Sequence, residues 1–285
     1  MSPPTYSDAL KSGTKYLINA GLEEAALKAK LLLMEATQTD ATDLILRADD
    51  HLSVSEHRWY EAFLRIASEH KPIQHIIGET SFFDFTVQTD SRALIPRHDS
   101  ECVVELALDQ IPEDQNVFVA DLGTGTGVLL LAILKARRKA RGVGVEHSAQ
   151  AIELAELNRK YVLAKPDRMS VFHGSWSDWT GWEQCDVILS NPPYIRSDVI
   201  PTLSPEVKDF EPLDALDGGA DGLTAYRDII GLGAKHMKAG AHLVFEIGYD
   251  QKKAVSELLS DAGFKDLKHA QDLGGNDRAI SAIKT

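Results

Sequence analysis

Cysteine is scarce in this sequence, and basic residues are outnumbered by acidic ones. The two cysteines, Cys102 and Cys185, lie far apart and form no metal-binding or redox spacing, which favours a reducing, cytoplasmic setting. Lys and Arg total 30 against 43 Asp and Glu, so the formal net charge is −13. A protein that covers duplex nucleic acid needs a basic surface to displace counterions, so this charge argues against that class.

Long apolar runs are also missing. None approaches the roughly 20 residues that a membrane-spanning helix needs. The first residues, MSPPTYSDALKSG, have neither the basic start nor the apolar core of a signal peptide. We therefore expect a cytoplasmic protein without a membrane span. Repeats and low-complexity tracts are absent too, and 285 residues allow one large domain or two smaller ones.

The N-terminal part of the chain has the apolar spacing of helices. Ser53 or Ser55 is a candidate start for one helix, with Glu56 in its first turn. The segment SFFDFTV, residues 81–87, alternates and is rich in aromatics, which predicts one strand of a short hairpin. We predict a helical domain over 1–80, a hairpin and linker over 81–110, and a third region over 111–285. The helical pattern rests on Leu22, Ala25, Ala26, Ala29, Leu32, Leu33, Trp59, Phe63, Leu64 and Ile66.

From about residue 116 the pattern alternates between strands and helices. This order predicts an α/β fold, in which a doubly wound and mostly parallel sheet carries helices on both faces. The last two apolar segments are close enough to pair as antiparallel neighbours. The predicted strands are 117–120, 142–146, 170–173, 186–189 and 242–247, followed by 267–273 and 279–285, and the first two helices are 127–140 and 149–164.

A glycine loop, DLGTGTG, connects the first strand of this region to its helix. The dinucleotide fingerprint requires a small residue at the sixth position, where this chain has Val128, and no GxxxxGK[ST] phosphate loop is present. Glycines at this position allow a ligand to lie close to the backbone, at the N-terminus of a helix. The other interpretation is a tight strand-to-helix turn that binds no ligand.

Asp121 opens the glycine loop, and a second acidic residue, Glu146, supports a nucleoside ligand. Glu146 ends the next predicted strand, where a carboxylate can accept both hydroxyls of a ribose. Together with a glycine loop unsuited to pyrophosphate, it suggests S-adenosyl-L-methionine. Glu146 as a solvated carboxylate remains the alternative. For Trp176, a place near the adenine and surface packing with Trp179 are equally open.

The segment LSNPPYI ends the strand 186–189 in an unusual way. Proline cannot donate to a sheet, so the chain leaves the sheet here. The Asn191 side-chain oxygen and the Pro192 carbonyl can accept the two N–H groups of a planar NH₂ group, and Tyr194 can pack over it. This orients a nitrogen for methyl transfer. A glutamine amide and the exocyclic amine of a base both fit, and a stiff proline turn is the structural alternative.

The glycine loop and NPPY occur together with several other short segments. The full set is PIQHIIG (72–78), LIPRHDSE (94–101), DLGTGTG (121–127), NPPYI (191–195), FEP (210–212), LDGGADGL (216–223), FEIGY (245–249) and DLGGNDR (272–278). With these segments the chain resembles, over nearly its whole length, the bacterial PrmC (HemK) family of protein-(glutamine-N5) methyltransferases. The segment with Arg97, Asp99 and Glu101, and the segment LDGGADGL, are more specific to this family than the glycine loop or NPPY.

The resemblance implies a Rossmann-like class I methyltransferase with a seven-stranded sheet, an antiparallel last strand and a small helical substrate-recognition domain. The methyl donor is S-adenosyl-L-methionine and the product S-adenosyl-L-homocysteine. The acceptor is the glutamine of the Gly-Gly-Gln motif in class-1 peptide chain release factors. The implied cofactor residues are Gly123, Thr124, Gly125, Thr126, Gly127, Glu146, Trp176 and Asn191, and the implied catalytic and substrate-binding residues are Asn191, Pro192, Pro193 and Tyr194.

This chain departs from the family pattern at three positions, and other interpretations remain. Glu146 replaces the usual Asp, His98 a common proline and His75 a common tyrosine. Asp99 or Ser100 either caps the following helix or belongs to a loop at the mouth of the site.

The main alternative function is a nucleic-acid amino-methyltransferase with the same NPPY chemistry. However, residues 1–85 hold 13 acidic and 8 basic residues, so this region is not suited to binding a polyanion such as nucleic acid. A nicotinamide-dependent oxidoreductase and a non-catalytic module are weaker alternatives. We expect a monomer with no metal site.

Overall fold

The computed structural model describes residues 3–285 and divides them into two compact units. One unit contains the chain up to Gly78 together with Ser204–Phe210. The other contains Glu79–Leu203 and Glu211–Thr285. The predicted domain boundary at residue 80 lies close to this division, whereas nothing in the sequence pattern marked 204–210 as part of the helical unit.

The first unit is helical, as predicted. Ser53 accepts a hydrogen bond from the Glu56 N–H, and Glu56 accepts one from the Ser53 N–H, which is a capping box that stabilises the start of α4. Lys28 forms an ion pair with Glu206, which attaches the inserted segment. The helices are α1 (Tyr6–Asn19), α2 (Ala25–Thr37), α3 (Ala41–Leu46), α4 (Val54–Ser68), α5 (Ile73–Ile77) and the later α9 (Pro205–Lys208).

The second unit begins with a two-stranded hairpin, in which β1 (Glu79–Phe82) pairs with β2 (Phe85–Gln88). The prediction of a single strand over 81–87 was therefore wrong. The chain turns inside that segment because Phe83 adopts a left-handed conformation, with φ of 49°. The aromatic residues consequently belong to two strands and the turn between them.

A seven-stranded sheet forms the body of the second unit, in the order β5-β4-β3-β6-β7-β9-β8. β9 runs antiparallel to both of its neighbours, and the other neighbouring strands are parallel. This confirms the predicted fold. The strands are β3 (Phe118–Leu122), β4 (Arg141–Glu146), β5 (Met169–His173), β6 (Val187–Ser190), β7 (His242–Glu246), β8 (Phe264–Gln271) and β9 (Asp277–Lys284).

Helices cover both faces of this sheet. Successive side chains of a strand point to opposite faces, so Val119 packs in one apolar cluster and Ala120 in another. α6 and α7 contribute to the first cluster, and α10 and α11 to the second. These helices are α6 (Glu101–Leu108), α7 (Val128–Ala136), α8 (Ala149–Val162), α10 (Thr224–His236) and α11 (Lys252–Asp261).

α7 is shorter than the predicted helix over 127–140. Arg137 has an extended backbone, and its guanidinium donates to the carbonyls of Ile111 at 2.7 Å and Leu108 at 3.0 Å. These bonds hold the chain outside the helix. Among the described residues, no helix combines the length and apolarity required to span a membrane.

Candidate active site

The parallel strands β3, β4 and β6 deliver their following loops to one edge of the sheet. β3 ends at Leu122, β4 at Glu146 and β6 at Ser190. Ligands of doubly wound sheets bind outside the carboxyl ends of the strands, where the strand order reverses. In this sheet β3 lies between β4 and β6, so its loop occupies that position.

The glycine loop turns sharply at this edge. Gly123, Gly125 and Gly127 have φ of 72°, 53° and 84°, a conformation that other residues adopt only with strain. The N–H groups of Gly123 and Thr124 donate to the Val145 carbonyl at 2.8 and 3.2 Å, which attaches the loop to β4. Gly127 then precedes the first turn of α7. The loop is thus rigid and presents its backbone at a helix start.

Asp121 opens the glycine loop from a buried position. Its Oδ2 accepts a hydrogen bond from the Thr124 hydroxyl at 2.7 Å. Burial raises the pKa of Asp121 to about 7, and the nearby Glu146 charge contributes to this shift, while the Thr124 bond opposes it. The carboxyl group therefore gains a proton near neutral pH, and its hydrogen bond to Thr124 lies within the loop.

Glu146 is buried, and its carboxylate binds backbone N–H groups. One oxygen accepts from His147 and Ser148, both at 2.9 Å, and the other accepts from Gly125 at 3.0 Å. A carboxylate has about four acceptor positions, so about one remains for a ligand hydroxyl. Glu146 also lines the cavity at the glycine loop. Glu146 is thus not a freely solvated strand-end group, and its position suits one direct bond to a ribose.

A cavity of about 170 Å³ lies beside the glycine loop. Its walls include Trp176, and a Cβ built on Gly123 would lie 3.9 Å from the Trp176 ring. Trp179 is buried and packs against Trp182 instead, so surface packing of the two tryptophans was a wrong alternative. The predicted residues at the cavity are Gly123, Thr124, Gly125, Thr126, Glu146, Trp176, Asn191 and Pro193, whereas Gly127, Pro192 and Tyr194 do not line it.

The NPPY segment leaves the sheet directly after β6. Ser190 is buried and its hydroxyl donates to the Leu122 carbonyl at 2.7 Å, which joins the ends of β6 and β3. Asn191 then reaches the cavity wall. Among residues 3–285, neither the Asn191 side chain nor the Pro192 carbonyl has a hydrogen-bond partner. Both groups thus lack a protein partner in this range, and of the two residues Asn191 lines the cavity whereas Pro192 does not.

The segment LDGGADGL packs directly on the NPPY backbone. The Ile195 N–H donates to Leu216 at 3.0 Å, and the Gly218 N–H donates to the Ile195 carbonyl at 2.8 Å. A Cβ at Gly218 would lie 2.7 Å from the Tyr194 Cα, so only glycine permits this approach. The Gln251 amide donates to the Tyr194 carbonyl at 3.0 Å from a third segment. NPPY is consequently held from several directions.

The loop before α6 provides another wall of the cavity, formed by Arg92–Arg97 and Ser100. Arg97 donates to Glu211 at 2.6 Å. The Glu211 side chain is almost fully buried, and burial raises its pKa to about 7, while Arg97 opposes that shift. The resemblance placed Arg97 at the mouth of the site, and Arg97 does line the cavity. Nothing in the sequence pattern predicted its pairing with Glu211.

One of the two interpretations of this loop was a cap on α6 by the Asp99 or Ser100 side chain, and the structure shows no side-chain cap there. Ser100 occupies the N-cap position, but it makes no side-chain capping bond, and its hydroxyl donates to Glu246. Asp99 lies 3.4 Å from the Arg278 guanidinium. Both side chains are therefore engaged by tertiary partners, a carboxylate for Ser100 and a guanidinium for Asp99, instead of the N–H groups at the start of α6.

Asn158 is a buried residue near the site that sequence reasoning missed. Its amide donates to the carbonyls of Gln88 and Thr126, both at 3.0 Å, and its oxygen accepts from the Gln88 N–H at 2.8 Å. A polar residue on the apolar face of α8 was the available signal. Within the described residues, no group of three or more His, Cys, Asp or Glu side chains is arranged to hold a metal ion.

Known proteins resemble both parts of this arrangement. Residues 8–78 match the PrmC N-terminal domain, and residues 101–202 match the methyltransferase small domain. The release factor glutamine methyltransferase of Caulobacter vibrioides is 35% identical over 268 residues, covering 94% of this chain and 92% of the relative. This chain belongs to the release factor glutamine methyltransferase family.

A second relative agrees with this family assignment, and a solved structure agrees with the fold. The release factor glutamine methyltransferase of Geobacter sulfurreducens is 36% identical over 265 residues, covering 93% of this chain and 92% of the relative. A methyltransferase structure from Pyrococcus furiosus is similar in fold, with a TM-score of 0.52 and 13% identity over 71% of this chain and 90% of that one. The identified resemblance to the PrmC family is thereby confirmed.

Proposed function

We propose that this protein transfers a methyl group from S-adenosyl-L-methionine to the side-chain amide nitrogen of a glutamine in a peptide chain release factor. The relatives carry this activity in their names and match nearly the full chain. The observation that carries the proposal at the site is the pair of acceptors at Asn191 and Pro192, which have no partner among the described residues.

The residues at the cavity fit the methyl donor. Glu146 retains about one acceptor position for a ribose hydroxyl. Trp176 offers a flat apolar surface for the adenine, and Gly123–Thr126 offer backbone groups just before a helix start for the methionine part. When bound, the sulfonium supplies an electrophilic methyl group and its own leaving group.

The protein's contribution to the reaction is position and electrostatics. An amide nitrogen is a weak nucleophile because its lone pair is conjugated with the carbonyl. The Asn191 oxygen and the Pro192 carbonyl accept the two N–H groups, which orients the nitrogen and stabilises positive charge that develops on it. Pro193 fixes its own backbone, and the Tyr194 ring, which does not line the cofactor cavity, packs over the amide from the acceptor side.

Recognition of the whole release factor extends beyond this site. We infer that the helical unit recognises the protein substrate and that the glutamine lies in the Gly-Gly-Gln motif. Release factors act in translation, which agrees with the cytoplasmic setting predicted from two cysteines that lie far apart in the sequence. A monomer without specific nucleic-acid binding is the accompanying prediction.

A labelled-methyl transfer assay tests this function. It compares unmethylated release factor, the same factor with alanine in place of the glutamine of Gly-Gly-Gln, and unmethylated DNA. We expect label on the wild-type factor alone. Label on DNA would favour the nucleic-acid methyltransferase, and label on the alanine variant would move the acceptor to another residue.

A further inference from the structure

Glu246 is a buried carboxylate at the end of β7, in the segment FEIGY, to which no role has been assigned. It is 2% exposed. One of its oxygens accepts a hydrogen bond from the Tyr194 hydroxyl at 3.0 Å, and the other accepts one from the Ser100 hydroxyl. Each carboxylate oxygen thus has its own O–H donor. Glu246 connects Tyr194, in the acceptor motif, to Ser100, in the wall of the cavity.

Arg278 provides positive charge near this carboxylate. Its guanidinium lies 3.0 Å from Asp272 and 3.4 Å from Asp99. Burial raises the pKa of Glu246, and the two hydroxyl donors and the Arg278 charge oppose that shift. Glu246 and Arg278 therefore both interact with the Tyr194 side chain, and Ser100 reaches it only through Glu246, although these residues are distant in sequence.

The Tyr194 backbone is held on the opposite side from its hydroxyl. Gln251 donates to the Tyr194 carbonyl at 3.0 Å and to the Gly222 carbonyl at 3.1 Å. A Cβ on Gly218 would collide with the Tyr194 backbone, so these segments are in close contact. With its backbone fixed in this way, the tilt of the Tyr194 ring depends on the hydroxyl and its bond to Glu246.

We propose that Glu246 is a positioning residue for methyl transfer, which fixes the Tyr194 ring on the acceptor side of NPPY, outside the lining of the cofactor cavity. This inference rests on the proposed function, because it assigns Tyr194 to the amide acceptor. A misplaced ring allows the acceptor nitrogen to move from its line of attack, while the cofactor residues stay in place. Loss of Glu246 should therefore lower the rate of methyl transfer more than it lowers the affinity for the cofactor.

Four variants test this proposal with an unmethylated release factor as the substrate. They are Y194F, E246M, the double variant, and E246Q, which keeps an oxygen to accept the Tyr194 hydroxyl. We expect Y194F and E246M each to lower kcat about 10- to 100-fold, with the KM for S-adenosyl-L-methionine within about twofold of the wild type. The double variant should be no slower than the slower single variant, because the two changes remove one interaction. E246Q should retain more activity than E246M.

R137M is the control for a purely structural loss. Arg137 makes its two carbonyl bonds at the end of α7, beyond the cavity-lining residues. We expect this variant to unfold at a lower temperature and to keep the wild-type kcat. Thermal unfolding and S-adenosyl-L-homocysteine binding establish that each variant is folded. If E246M does not fold, Y194F and E246Q still decide the result.

Two results would overturn the proposal. One is a Y194F variant within about twofold of the wild-type kcat, and the other is a double variant whose loss equals the product of the two single losses. If the wild-type enzyme methylates the same release factor, either result would leave the proposed function intact. A wild-type enzyme that labels no release factor would overturn the function and this inference together.

Discussion

The Asn158 amide donates a hydrogen bond to the Thr126 carbonyl at 3.0 Å inside the protein. Its second donor and its oxygen bond to Gln88, so one side chain joins α8, the hairpin and the glycine loop. Buried polar groups that lose their partners cost about 1–3 kcal/mol each. The glycine loop therefore depends on a residue about 30 positions further along the chain.

Replacement of Asn158 by Leu should loosen the glycine loop. We expect the free energy of unfolding to fall by about 2–3 kcal/mol and the affinity for S-adenosyl-L-homocysteine to weaken. Urea unfolding and calorimetric titration measure these two quantities. The exposed Asn116, replaced by Leu, is the control. Unchanged cofactor affinity in a destabilised N158L variant would show that Asn158 supports the fold alone.

Replacement of Glu146 by Ala should weaken the cofactor. The variant loses the acceptor for three backbone N–H groups as well as the proposed ribose contact. Hydrogen bonds to a charged group contribute about 1.5–3 kcal/mol, so we expect the cofactor KM to rise about 10- to 100-fold. The exposed Glu183, replaced by Ala, should leave the KM unchanged. A wild-type cofactor KM in E146A would show that Glu146 does not bind the cofactor.

Replacement of Asn191 by Ala should stop methyl transfer and preserve cofactor binding. The variant removes one of two acceptors aimed at the amide, and loss of one such electrostatic contact typically costs about 100- to 1,000-fold in kcat. Steady-state kinetics and S-adenosyl-L-homocysteine titration separate the two effects. Wild-type activity in N191A would refute the proposed geometry of the acceptor.

Replacement of Asp121 by Asn should change how stability depends on pH. The pKa of Asp121 rises from 3.8 to about 7 on folding because the group is buried. The wild type therefore loses stability relative to D121N as the pH rises from about 4 to about 7, and the difference is constant above that. Between pH 4 and pH values above 7, the free energy of unfolding of the wild type should fall by roughly 4 kcal/mol relative to D121N, since one pKa unit is about 1.4 kcal/mol. Urea unfolding of the cofactor-free protein at pH 4, 6 and 8 measures this, and a pH-independent difference would contradict it.

Replacement of Arg97 by Met should destabilise the protein mainly above neutral pH. Burial holds the Glu211 pKa at about 7, so Glu211 is ionised and attracts Arg97 only above that value. Because the Arg97 side chain is 41% exposed, solvent screening keeps the expected loss to about 1–2 kcal/mol at pH 8.5. At pH 5.5 the loss should be smaller. The additional E211Q change should recover stability at the higher pH, and an equal loss at both pH values would refute this pairing.

Local sequence chemistry determined much of this protein. Proline after Asn191 ends β6 because proline cannot donate to the sheet, and the Gly123–Gly127 loop turns because glycine accepts positive φ. Ser53 or Ser55, with Glu56 in the first turn, predicted the start of α4, and the capping box of Ser53 and Glu56 lies within one turn. The alternation of strand and helix patterns also predicted the parallel sheet, because each of these patterns is read from residues that are neighbours in the sequence.

Only the tertiary structure decided which distant groups meet. The Ser100 hydroxyl has a nearby helix N-terminus, yet it donates to Glu246, which is 146 residues away in the sequence. Likewise, Arg97 pairs with Glu211, and 204–210 joins the helical unit. Periodicity reports which face of an element is buried, but it does not report which buried groups lie opposite each other. That choice follows from the order and direction of the strands, which brings the carboxyl ends of β3, β4, β6 and β7 to one edge.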